Sequence, residues 1–244
     1  IKPALDSLNK MRRNKVKKKD LPKDSLGIYD FENKGVTKIA SVKNYKSPKK
    51  WSGYLAYQLE EIKAKKDTAK SDTTKTKKPK RKKSKKVNKK NGYHLIVRSL
   101  ENGSQDTIKY VLDYLFAEEG KALMNSTTGM DSSILPGVYH KDLTSNTTTP
   151  LTRSKGKYKR LALSKDGQQA AFLSDLDTTK ALLRNFQLRY WKAGLDSAAV
   201  KADISSDSTP ADWVVNENGS LSFSDNGSRL LFGTSPKPIV QDTT

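Results

Sequence analysis

The sequence predicts an all-β chain: a partial β-propeller of about four four-stranded blades, with a disordered Lys-rich insertion. Three observations carry that expectation. First, a phrase comes back. Leu161-Ala162-Leu163-Ser164-Lys165-Asp166-Gly167, followed by Gln168-Gln169-Ala170-Ala171-Phe172, returns as Leu221-Ser222-Phe223-Ser224-Asp225-Asn226-Gly227, followed by Ser228-Arg229-Leu230-Leu231-Phe232. Each copy reads as strand, tight turn, strand. Asp-Gly and Asn-Gly suit a turn whose two central residues both take positive φ. Second, from Gly27 onward apolar residues recur with a period of two. Third, the phrase recurs about every 40–60 residues, the spacing of propeller blades.

Taken in order, residues 1–24 form a basic lead. Leu5, Leu8 and Met11 fall at roughly helical spacing, but the charge run Lys15–Lys19 ends any apolar face. An exposed, partly irregular segment is expected there, or a piece of a neighbouring blade. The propeller is expected over 25–244. Ile28–Phe31 is a strand, Glu32–Gly35 a turn and Val36–Ala40 the returning strand. Trp51–Leu59 is a degenerate copy of the phrase. Residues 63–90 hold Lys, Thr, Ser, Asp and Pro with almost nothing apolar, so burial cannot offset the entropy of ordering them. Alternation resumes at once with Tyr93, Leu95 and Val97, which places 63–90 as a loop inserted within a blade.

Glu101-Asn102-Gly103 then turns into a strand at Ile108–Leu112, and Leu112–Met124 is another strand, turn and strand. Gly137–Leu143 is the third strand of that blade, and Thr144–Thr149 leads to Pro150-Leu151-Thr152. In the next blade the third strand is Phe186–Trp191. Asp203-Ile204 and Trp213–Val215 are expected to complete that blade, before Asn218-Gly219 turns into the last copy. Phe31, Leu100, Leu143 and Ala193 hold equivalent places after successive third strands. The chain begins at Ile1 and the repeat stops inside a blade after Phe232, so the expectation is a piece of a larger protein.

The net charge is +21 over 244 residues. Residues 1–23 carry nine Lys/Arg against two Asp, and residues 63–90 carry fifteen against two. What remains is nearly neutral, so two segments hold the charge. Lys77, Lys78, Lys80, Arg81, Lys82, Lys83, Lys85 and Lys86 are candidate contacts for a polyanion, since such charges attract phosphates without reading sequence. No aromatic is interleaved for base stacking, and a solvated loop is the plainer reading.

The absence of Cys excludes disulfides and thiol catalysis. No apolar run approaches 18 residues, so no membrane span is expected. His94 and His140 are the two histidines; both lie on expected strands with no companion ligands, so they read as packed or strand-edge residues. The Asp-Gly pairs lack the alternating oxygens and closing Glu of a calcium loop. Trp51, Trp191 and Trp213 read as packing between sheets. Asn125, Asn146, Asn218 and Asn226 each begin an Asn-x-Ser/Thr sequon. No metal, cofactor or catalytic residue is assigned.

Ser164–Gly167 with Phe172-Leu173-Ser174-Asp175, Leu188-Arg189-Tyr190-Trp191, and Leu230-Leu231-Phe232-Gly233-Thr234-Ser235-Pro236-Lys237-Pro238 carry a resemblance. Together they resemble the N-terminal propeller of bacterial serine peptidases of the prolyl oligopeptidase family. The resemblance implies a C-terminal α/β-hydrolase domain beyond residue 244, peptide substrates, and a propeller that gates their access. It also implies a periplasmic or secreted protein. The catalytic half is missing from the match: no Gly-x-Ser-x-Gly elbow occurs, so this chain alone is expected to hydrolyse nothing. Two other readings stand beside it. One is a free-standing propeller scaffold that binds a protein partner; the other is a polyanion-binding protein acting through the basic loop.

Overall fold

The computed structural model describes residues 1–17, 20–60, 91–130, 132, 134–179, 183–205 and 210–239. The candidate polyanion contacts at 77–86 therefore lie outside the described residues. The chain divides into two compact units, one of residues 1–43 and 59–90, the other of 44–58 and 91–244.

In the first unit, helix α1 (Leu5–Arg13) begins without a side-chain cap and buries no residue. The helical spacing of Leu5, Leu8 and Met11 is thus realised, although residues 1–24 were expected to be partly irregular. Strands β1 (Leu26–Asp30) and β2 (Gly35–Ile39) pair antiparallel as a hairpin. Asp30 closes its turn, its carboxylate accepting from the Glu32 and Asn33 amides at 2.9 and 3.3 Å. An Asx side chain that bonds the backbone ahead of it is the usual reason for its place in a turn.

The second unit contains most of the strands. A seven-stranded sheet runs in the order β3 (Val42–Lys46), β4 (Tyr54–Leu59), β5 (Tyr93–Ser99), β6 (Gln105–Phe116), β7 (Ala122–Thr127), β8 (Gly137–Asp142), β9 (Thr147–Thr152). It is two blades joined through one long strand. The first half of β6 pairs with β5, and from Val111 onward β6 pairs with β7. Between the halves Tyr110 takes φ +59°, an uncommon left-handed conformation for a non-glycine residue. There the outer strand of one blade becomes the inner strand of the next. Strands β10 (Lys157–Leu163), β11 (Gln169–Asp175), β12 (Gln187–Lys192) and β13 (Ala199–Ala202) form a separate four-stranded antiparallel blade.

The last blade has only its inner pair among the described residues. Strand β14 (Trp213–Val215) pairs with β17 (Thr234–Pro236), and β15 (Leu221–Phe223) with β16 (Leu230–Phe232). Residues 216–220 bulge out of one side and Gly233 alone out of the other. Trp213–Val215 therefore opens this blade instead of completing the one before it. Strand β13 takes that place, and its residues Ala199-Val200-Lys201-Ala202 are too short and mixed to signal a strand. Strand β3 was likewise not anticipated: Val42 and Tyr45 are its only apolar residues, and pairing defines it. In the hairpin and the blades together, the strands amount to about four blades.

Blades pack face to face. Ala56, Leu95 and Val97 meet Tyr114, Leu123 and Leu143 between the first two blades of the second unit. Met124, Val138 and Leu151 meet Tyr158, Phe172 and Trp191 between the next two. Leu173, Phe186 and Leu188 meet Val215, with Leu221 and Phe232 against them. Full burial of a Val, Leu, Met or Phe side chain among these stabilises by about 1.5–3 kcal/mol. A polar network, buried at Tyr114 and Gln58 and exposed at Asn44, crosses the first boundary. The Tyr114 hydroxyl donates to Asn44 Oδ1 at 2.9 Å, Asn44 Nδ2 to Gln58 Oε1 at 2.9 Å, and Gln58 Nε2 to the Val111 carbonyl at 2.9 Å. Burial pushes the Tyr114 phenol well above its ordinary range.

Hydrogen bonds align the repeat independently of the sequence. The amides of Leu100, Leu143 and Ala193 donate to the carbonyls of Gly53, Lys121 and Gln168 at 2.8, 2.9 and 2.8 Å. These are the residues that sequence alignment placed after successive third strands. The repeated turn is longer than a two-residue hairpin. Ser164 and Gln169 bracket it, with Gln169 N donating to Ser164 Oγ at 2.9 Å and Gln168 N to Asp166 Oδ1 at 3.0 Å. Ser224, Asn226, Ser228 and Arg229 repeat the pattern. Gly167 and Gly227 take positive φ but Asp166 and Asn226 do not. The acidic or amide residue is there as a cap to the turn, and only the glycine needs the left-handed region.

Successive inner turns approach closely enough to exclude a side chain. The Glu119 and Gly120 amides donate to the Lys165 carbonyl at 2.8 and 3.0 Å. A Cβ on Gly120 would lie 1.8 Å from the Asp166 carbonyl oxygen. Gly120→Ala should therefore destabilise the protein by roughly 1–3 kcal/mol, the range of an overpacked contact, measured by thermal or urea unfolding. In Gly35→Ala the new Cβ would come no closer than 3.9 Å to a neighbour, and its stability should change by less than about 0.5 kcal/mol.

Candidate functional site

The inner turns of four successive blades form a row. Lys50, between β3 and β4, pairs with Glu118 at 3.1 Å and Glu119 at 3.0 Å, between β6 and β7. Lys165, between β10 and β11, accepts the two backbone bonds from that turn through its carbonyl. Its ammonium reaches on to Asp225, between β15 and β16, at 2.9 Å. Charge thus alternates from blade to blade. The hydrogen bond from Lys165 holds the Asp225 carboxyl below its usual range, and the hydrogen bonds with Glu119 and Glu118 hold the Lys50 ammonium above its own. Gln169 adds a bond to the Gly227 carbonyl at 3.1 Å.

His140 lies on β8 and faces the next blade. It is 5% exposed. Its ring packs on Trp191 with centroids 4.7 Å apart, and its Nε2 lies 2.9 Å from the Gly167 carbonyl oxygen. A carbonyl only accepts, so Nε2 carries the proton. Burial pushes the imidazole pKa down, partly offset by that hydrogen bond and by Asp142. A neutral ring held on both sides is not placed to take a proton from a substrate. His94 lies on β5, half-buried, with its ring edge-on to Tyr110 at 5.8 Å. Both histidines pack, as their strand positions suggested.

Two of the tryptophans serve the blade boundaries. Trp51 donates to the Ala117 carbonyl at 3.1 Å and meets Phe116 edge-on at 5.6 Å. Trp191 donates to the Leu195 carbonyl at 2.6 Å. Trp213 opens β14, half-buried. Asn125 is buried on β7, whereas Asn146 is exposed in the β8–β9 turn. Among the described residues no group of three His, Asp or Glu side chains is arranged to hold a metal ion. Among them, too, no helix is long and apolar enough to cross a membrane.

A cavity of about 680 Å³ runs along β9 and the β12–β13 turn. Trp191 and Pro150 give it apolar walls, Thr149 and Ser197 hydroxyls, and Arg153 and Asp196 opposite charges. This mixture can hold a polar chain segment, and no base is paired with its hydroxyls. The charge pattern of the sequence did not point to it, because the cavity joins two blades. The one available signal was the run of threonines before Pro150.

No protein-family model matches the chain, and no curated protein matches it. Similar solved structures exist at low identity. The propeller domain of the trilobed protease from Pyrococcus furiosus is 12% identical over 70% of this chain and 47% of its own, with a TM-score of 0.40. The acylaminoacyl peptidase of Pyrococcus horikoshii is 10% identical over 70% of this chain and 26% of its own, with a TM-score of 0.40. TolB from Acinetobacter baumannii is 13% identical over 83% of this chain and 46% of its own, with a TM-score of 0.39. The chain spans less than half the length of each. The assignment of blades rests on the strand pairings above.

The buried state of His140 has a consequence for stability. Its folded pKa lies below the ordinary value of about 6.5, so below that pH the unfolded chain binds the proton more readily. Stability should fall as pH drops through about 6.5, and level off once the folded ring also titrates. Melting temperatures between pH 7 and pH 5 should fall more steeply for the native protein than for His140→Gln.

Proposed function

We propose that this chain is a non-catalytic propeller segment of a periplasmic or secreted serine peptidase, gating peptide access to a hydrolase domain beyond residue 244. The Leu231–Pro238 phrase carries the reading, and the blade geometry supports it. The phrase forms β16, the break at Gly233 and β17, so the resemblance falls on a structural feature of a blade. Both histidines are committed to packing, which leaves the chemistry to another domain.

The test is fluorophosphonate labelling of the native source protein, followed by peptide mapping. The expected result is a labelled band that contains peptides of this chain, with the label on a serine beyond residue 244. A native protein that takes no label overturns the reading and favours a propeller scaffold for a protein partner.

The concentration of charge in 63–90 favours a second role, weak and non-specific attraction of a polyanion. Deletion of 63–90 should then abolish retention on heparin, and native retention should fall steeply with salt. Retention unchanged by the deletion rules this out.

A further inference from the structure

One cavity holds a cation and an anion that do not pair. The space of about 680 Å³ along β9 and the β12–β13 turn is lined by both Arg153 and Asp196. Both side chains are exposed, so a ligand entering from solvent reaches them. Among the described residues neither forms an ion pair, with the other or with a third group. Thr149 and Ser197 add hydroxyls to the same space, and Pro150 and Leu195 add apolar surface.

The backbone that carries each charge is tied down. Arg153 directly follows β9, and at the next residue the Ser154 carbonyl accepts from the Tyr158 hydroxyl. Asp196 lies in the β12–β13 turn. Trp191 Nε1 donates to the Leu195 carbonyl at 2.6 Å, and the Ala198 amide donates to the Leu151 carbonyl of β9 at 2.9 Å. Hydrogen bonds therefore join the two walls of the cavity, one wall carrying the cation and the other the anion. Ligand sites commonly combine apolar surface with a few positioned polar groups in this way.

We infer that this cavity binds a small zwitterion with an α-ammonium and an α-carboxylate: a free amino acid or a short peptide with unblocked ends. The Arg153 guanidinium matches a carboxylate with two parallel N–H···O bonds. A carboxylate only accepts and an ammonium only donates, so Asp196 suits the other end. A ligand with a single charge satisfies one of these side chains and is repelled by the other, whereas a zwitterion satisfies both. Thr149 and Ser197 can donate or accept, and Leu195 and Pro150 suit an aliphatic side chain. The site is open to water, so screening keeps binding weak. The inference stands independently of the peptidase reading, since it needs no hydrolase domain.

The test uses the full chain with ¹⁵N label and follows the backbone amides of Arg153, Asp196 and Ser197. The probes are leucine and alanyl-leucine, each in three forms: unblocked, N-acetylated, and with the carboxylate amidated. Saturable shifts are expected with at least one unblocked probe, and binding of its blocked forms should be weaker by roughly tenfold or more, the loss of one charge-assisted bond. A response to leucine alone assigns the site to free amino acids; a response to alanyl-leucine admits peptides. Asp196→Asn should no longer distinguish the unblocked from the acetylated form but should still reject the amidated one. Arg153→Gln should show the reverse. Both side chains are exposed, so both variants should melt with the native protein. No saturable shift with either unblocked probe, equal binding of blocked and unblocked forms, or discrimination unchanged in either variant would overturn the inference.

Discussion

Backbone must approach backbone where one inner turn meets the next, and the larger unit is organised around that contact. The Gly120 amide sits against the Lys165 carbonyl with no room for a Cβ. The opposite side of the same junction holds Gly167, whose own Cβ would lie 2.7 Å from that of Ala122. Small residues at these places set the separation of the sheets. At that separation Met124 and Val138 reach Tyr158 and Phe172, and His140 reaches the Gly167 carbonyl. Wider spacing would leave these groups without partners, and the buried imidazole would lose the acceptor that defines its tautomer.

Two kinds of interaction act at the blade boundaries, and they are not equal. The apolar clusters between sheets supply most of the stabilisation, since each buried side chain removes a large area from water. The chain of charges from Lys50 to Asp225 lies at the surface, where water and salt screen it. Its value is in ordering: alternate signs on consecutive turns favour each blade beside its own neighbour, and like charges would meet if the sequence of blades were changed. The network of Tyr114, Asn44 and Gln58, which runs from the buried phenol and carboxamide out to the exposed Asn44, serves the same end, because the bonds form only at the correct blade spacing.

Repetition also makes departures from the repeat informative. Four residues after the aligned carbonyls of Gly53, Lys121 and Gln168 come Tyr57, Asn125 and Phe172, so one blade buries an amide where its neighbours bury a ring. The bulge of residues 216–220 in the last blade is a second departure. It lengthens one inner strand against a partner interrupted only at Gly233.

The sequence by itself determined the class of fold, the repeated turn and the third strands. These depend on local chemistry: period-two alternation, a Ser and an Asx residue that cap a turn, and a glycine that accepts positive φ at Gly167 and Gly227. The packing of His94 and His140 was legible for the same reason, since both sit within alternating strands. Tertiary structure alone decided which strands share a sheet. Trp213–Val215 reads as the end of one blade but pairs with Thr234–Pro236 in the next, and β6 serves two blades as one strand. It also decided that Asn125, legible only as a sequon, is buried without a partner. Strand pairing and burial depend on residues far apart in the chain, and period-two alternation is the same whichever partner a strand finds.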